Sequence, residues 1–113
     1  MNVHDLIEKL DLTVINQGDL SRPVTGGYAG DLLSWVMGRA QQNDVWITIM
    51  SNLNTVAVAV LADVSAIILA EGVAMDEPAL QRAQAEGVTI LQSAKPTFQL
   101  AGETYALLKG SAS

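Results

Sequence analysis

The chain has no cysteine and one histidine among its 113 residues. Without cysteine there is no disulfide, no thiolate nucleophile, no iron–sulfur ligation and no cysteine-based zinc site. With His4 alone, no multi-histidine metal centre forms within one chain, so neither a metal site nor a cofactor is expected. Basic residues are scarce too: six Lys and Arg stand against twelve Asp and Glu, a net charge of −6. A surface of that sign repels a nucleic-acid backbone and anionic lipid, so neither nucleic acid nor membrane is an expected partner. The phosphate loop G-x-x-x-x-G-K-[ST] and the fingerprint G-x-G-x-x-G are both missing. His4 falls at the start of a surface helix, and the adjacent carboxylates Asp76-Glu77 match the charge preference of a helix start. No catalytic set emerges, and the chain reads as a non-enzyme. An enzyme completed across a dimer would need His4 or Asp31 of one subunit to meet Ser51 or Asn52 of the other.

What is present is apolar. Half of the residues are hydrophobic, and area scaling gives a folded surface of about 6,000 Å², enough for one unstapled core. The opening Met1-Asn2-Val3-His4-Asp5 lacks a basic and then apolar leader pattern, so a cytoplasmic location is expected. Val45–Ala62 carries no charge and approaches the length of a membrane span. Ser51, Asn52, Asn54 and Thr55 at its centre would be costly in hydrocarbon. The stretch reads as buried strand, polar turn, buried helix.

Apolar spacing predicts a helix over Val3–Leu10 and a brief strand over Leu12–Ile15, followed by turn chemistry at Gln17-Gly18-Asp19. Arg22–Tyr28 is expected to be extended, since Pro23 disfavours helix before it. Asp31 is placed to cap a helix over Leu32–Ala40, with Leu32, Leu33, Val36 and Met37 on one face. Val45–Met50 reads as a strand. Asn54 or Thr55 would cap a helix over Val56–Ala62, whose Ala57, Ala59 and Ala62 allow close packing on the sheet or against a second subunit. Ala66–Ala70 is a buried strand. Asp76 and Pro78 start a helix that Gly87 stops, and Val88–Leu91 is a third apolar strand. Pro96 opens a last helix with Phe98, Ala101, Tyr105 and Leu108 on its apolar face, and residues 110–113 read as a frayed tail. Trp35 and Trp46, with no Lys or Arg near them, read as core or interface. The alternation predicts an α/β fold: a small layered domain with a mainly parallel sheet flanked by helices.

Two loci are candidates for binding. Thr25, Gly26, Gly27 and Tyr28 lie in a glycine-rich segment before a helix. Glycine amides there could hold an anion such as phosphate, or the glycines could supply a tight turn or close packing. Ser51, Asn52 and Asn54 follow a predicted strand, where open parallel sheets bind ligands beyond the strands' carboxyl ends. The alternative for them is turn and capping chemistry. If both loci lie at one sheet edge, they form one pocket.

Val24-Thr25-Gly26-Gly27-Tyr28, Asp31-Leu32-Leu33-Ser34, Trp46-Ile47-Thr48, Asn54–Leu61 and Ala66-Ile67-Ile68 together resemble the DRTGG domain family over residues 3 to 108. The likeness is to stand-alone, single-domain members. Thr25, Gly26 and Gly27 match the name motif, while Pro23-Val24 stand in place of Asp-Arg and Arg22 is displaced from the Arg position. The resemblance implies one DRTGG-like domain over 1–113 with a fold like the N-terminal domain of HPr kinase/phosphatase. It also implies an accessory, regulatory role: such domains accompany phosphotransacetylases and sit between CBS motifs in regulated pyrophosphatases, at the dimer interface of a module sensing adenine nucleotides. The expectation is a non-catalytic, ligand-sensing homodimer for a nucleotide or other phosphorylated metabolite. The alternative is a protein-interaction adaptor for a metabolic or redox enzyme, with no small-molecule site.

Overall fold

Ten elements alternate along the chain in the computed structural model, which describes residues 1–111. They are α1 (Val3–Leu10), β1 (Thr13–Asn16), β2 (Gly26–Ala29), α2 (Leu33–Arg39), β3 (Asp44–Thr48), α3 (Leu53–Ala62), β4 (Ala66–Leu69), α4 (Glu77–Glu86), β5 (Ile90–Gln92) and α5 (Thr97–Ser111). The strands form one five-stranded sheet in the order β1-β5-β4-β3-β2. Strands β2 to β5 run parallel, and β1 joins β5 antiparallel with an irregularity between Val14 and Asn16.

Side-chain alternation along the strands divides the core. Val45, Ile47, Ala66, Ile68 and Leu91 point to one face, where Val3, Leu6 and Leu10 of α1 and Leu100 of α5 cover them. Trp46, Ile67, Leu69 and Ile90 point to the other, against Val36, Val56, Ala59, Ala79 and Ala83 of α2, α3 and α4. Both faces of the central strands are therefore apolar, as crossover helices on each side require. The accessible surface is 5712 Å², close to the size-scaling expectation.

Local chemistry sets the helix ends. Asn2 and Asp5 form a reciprocal capping box on α1, which satisfies two otherwise unpaired amides. Gly87 adopts φ 70° to end α4, a conformation that costs an L side chain more than it costs glycine.

Several local expectations are corrected. Asp31 does not cap α2: Leu32 stands at the cap position without a side-chain bond. The Asp31 carboxylate accepts instead from Thr48 Oγ1 at 2.8 Å and from the Ile49 amide at 3.0 Å. It braces the exit of β3. Of the face assigned to α2, Val36 is fully buried, while Leu32 and Met37 are exposed. Asn52, rather than Asn54 or Thr55, caps α3, accepting from the Asn54 and Thr55 amides. On α5, Leu100 and Thr104 are buried and Ala101 and Leu108 pack on the core as expected, whereas Phe98 is 91% and Tyr105 64% exposed. Trp46 is buried as expected, but Trp35 is half-exposed with the Arg39 guanidinium 3.8 Å above its ring. Helix α5 continues through Gly110 and Ser111, where a frayed tail was expected. Ala112 and Ser113, the rest of that tail, lie outside the described residues.

Candidate functional site

The sheet register decides whether the two loci meet. Gly26 pairs with Asp44 and Gly27 with Val45, at the amino end of β3. Ser51, Asn52 and Asn54 follow the carboxyl end of the same strand and open α3. At about 3.3 Å per residue along the strand, the two loci lie at opposite strand ends of the sheet. They do not form one pocket.

The first locus becomes part of a groove. Strand β2 is one of the sheet's two edges, and α5 packs beside it. Gly27, Tyr28 and Ala29 border a cavity of about 160 Å³ closed by Ala101, Thr104, Tyr105 and Leu108 of α5. Next to it, Thr25, Gly26 and Gly27 border a space of about 310 Å³ with Tyr105, Leu108 and Lys109. The two share Gly27, Tyr105 and Leu108, so they are halves of one largely apolar groove, with Thr25 and Lys109 bordering the second half. Lys109 Nζ lies 5.5 Å from the centroid of the Tyr105 ring, placing a cation and an exposed aromatic face side by side. The Gly30 amide donates to Ile47 O. Alternation along a parallel ladder then turns the amide and carbonyl of Gly27 to the open edge.

The two glycines differ. A Cβ on Gly26 would stand 2.6 Å from Asp44 Oδ1, whereas one on Gly27 would meet Val45 at an ordinary 3.5 Å. Asp44 is buried, and its Oδ2 accepts from the Gln41 amide at 2.8 Å. Close packing thus explains Gly26, and it leaves Gly27 without a steric reason.

The second locus is occupied by backbone work. Asn52 Oδ1 accepts from the Asn54 amide at 3.0 Å and the Thr55 amide at 3.3 Å, and Ser51 O accepts from the Asp76 amide. Asn54 is exposed in the first turn of α3. Thr55 is fully buried, and its hydroxyl has no hydrogen-bond partner.

Arg22 is also committed. Its Nη2 lies 2.7 Å from Asp63 Oδ1, and its Nε donates to Asn43 Oδ1 at 3.1 Å. The hydrogen bond from Arg22 holds the Asp63 carboxyl below its ordinary range. Arg22 is therefore no free substitute for an anion-binding arginine. Among the described residues, no cluster of three or more His, Asp or Glu could hold a metal ion, and no helix is long and apolar enough to cross a membrane.

Tyr105, Leu108 and Lys109 were not among the sequence candidates for binding. Tyr105 and Lys109 are four apart on a helix and so share a face, a signal present in the sequence. What it lacked was the position of α5 beside β2.

No family model and no curated protein matches the chain. One solved structure that does match contains the CBS and DRTGG domains of the regulatory region of Clostridium perfringens pyrophosphatase, complexed with an activator, diadenosine tetraphosphate. The TM-score is 0.72 at 13% identity, over 88% of this chain and 44% of that one. The chain thus spans less than half the length of its structural neighbour. At that identity the likeness is one of fold, and the fold is DRTGG-like.

Proposed function

We propose that the chain is a non-catalytic regulatory domain that senses a nucleotide or another phosphorylated metabolite and works as a homodimer. The groove between β2 and α5 carries this reading. It offers Tyr105 and Leu108 as an apolar surface for a planar base, beside the Lys109 ammonium and the outward Gly27 amide for a phosphate. Thr25, Gly26 and Tyr28 shape its β2 wall. The fold shared with a nucleotide-activated regulatory region supports the same class of ligand. A chain of net charge −6 must hold an anion with local donors against a repulsive background field, and the groove supplies one cation and backbone amides for that purpose.

Ser51, Asn52 and Asn54 take structural roles beyond the carboxyl end of β3 in this reading. Calorimetry with adenine mono-, di- and triphosphates and diadenosine tetraphosphate tests it. Saturable binding that weakens in Lys109→Gln is the expected result, and no heat below millimolar ligand overturns it.

The adaptor reading has one observation in its favour, the exposure of Leu61, Phe98 and Tyr105. Recovery of a specific enzyme partner by the full chain, with no nucleotide binding, would favour it.

A further inference from the structure

Helix α3 sits between α2 and α4 on one face of the sheet and contains no charged residue. Its inner side buries Thr55, Val56, Val58 and Ala59. Its outer side carries Leu53, 42% exposed, and Leu61, 71% exposed, with the smaller Ala57 midway between them. A surface helix ordinarily presents charged and polar residues there. At 100° per residue, Leu53, Ala57 and Leu61 fall within one 80° sector, opposite the buried set.

We propose that this face of α3 docks on the same face of a second copy of the chain, with the two helices antiparallel and crossing at Ala57. Two observations select a second copy as the occupant. First, the pattern is symmetric: a large residue stands four positions to either side of a small one. A two-fold axis through Ala57 therefore sets Leu61 of each chain against Leu53 of the other, the self-complementarity that an isologous interface requires. Second, each chain carries −6, so two copies repel wherever acidic surfaces meet. The uncharged α3 is a surface through which they approach without that cost. The inference rests on the homodimer in the proposed function and deepens it by naming the face. The ligand groove lies across the sheet, beside α5.

The experiment uses the full chain. Sedimentation equilibrium is expected to find a dimer, and Leu61→Glu, a change at an exposed position, should weaken it by at least about thirtyfold, as loss of an interface hot spot does. The absence of cysteine makes Ala57→Cys a single, unambiguous thiol. Oxidation by copper phenanthroline and oxygen should link it rapidly into a disulfide dimer, whereas Glu8→Cys on α1 should link slowly. A monomer at millimolar concentration overturns the proposal. So does a dimer that persists in Leu61→Glu and cross-links no faster at Ala57 than at Glu8. Nucleotide titration of Leu61→Glu keeps the readings separate: binding by a monomer leaves the groove standing, and a dimer that binds nothing leaves this interface standing.

Discussion

The carboxylate of Asp44 lies against the backbone of Gly26 across the β2–β3 register, so closely that a Cβ on Gly26 would come within 2.6 Å of its Oδ1. Asp44 is buried and held by the Gln41 amide, so it cannot yield without losing that bond. Gly26→Ala should therefore destabilise the chain by about 1–3 kcal/mol, the range for overpacking a buried site. Gly27→Ala, with ordinary clearance, should shift the urea midpoint far less. Equal losses at the two positions would refute the distinction between a packing glycine and an exposed one.

The unpaired hydroxyl of buried Thr55 gives a prediction of opposite sign. Thr55→Val keeps the branched shape and removes a polar group that has lost water without gaining a partner. Stability should rise by about 1 kcal/mol, on the scale of an uncompensated buried hydroxyl. A clear loss in thermal unfolding would mean that the hydroxyl has a partner in solution.

Asn52→Ala separates the two candidate loci. It removes the acceptor for two α3 amides and should cost about 1 kcal/mol, as loss of an N-cap does. Nucleotide affinity should stay unchanged, because Asn52 does not line the groove. Loss of binding at constant stability would place the ligand at the strands' carboxyl ends instead.

Acid should weaken the fold through Asp63 and Glu103. Hydrogen bonds from Arg22 and Lys95, respectively, hold their carboxyls below the ordinary range in the native state. Such groups stabilise above the unfolded carboxylate pKa of about 4, and the contribution is lost as pH falls through the lower native value. Both side chains are substantially exposed, so screening keeps the effect small. Urea midpoints of Arg22→Gln should show a smaller drop between neutral pH and pH 3 than those of the native chain. An unchanged drop would contradict the Arg22–Asp63 contribution.

Much of the fold was legible because local rules and tertiary packing agree. Val3, Leu6 and Leu10 fixed α1, the apolar run Ala66–Leu69 fixed the central strand, and Gly87 fixed the end of α4. The errors share a physical origin. Asp31 has the chemistry of a cap, but β3 lies close enough to take its carboxylate. Phe98 and Tyr105 have helical spacing, yet the sheet lies on the side of Leu100 and Thr104. The site was half-legible for the same reason. Thr25–Tyr28 could be singled out from composition, but only the order of strands shows that β2 is an edge beside α5. The β2–β3 register separates Gly26 from Ser51.

The most direct test of the central claim is to titrate the isotopically labelled chain with adenine nucleotides and diadenosine tetraphosphate, following every backbone amide by NMR. Saturable shifts concentrated at Thr25–Ala29 and Ala101–Lys109, lost in Tyr105→Ser and Lys109→Gln, are the expected result. Shifts centred on Ser51–Thr55, or no saturable shifts with any of these ligands, would contradict it.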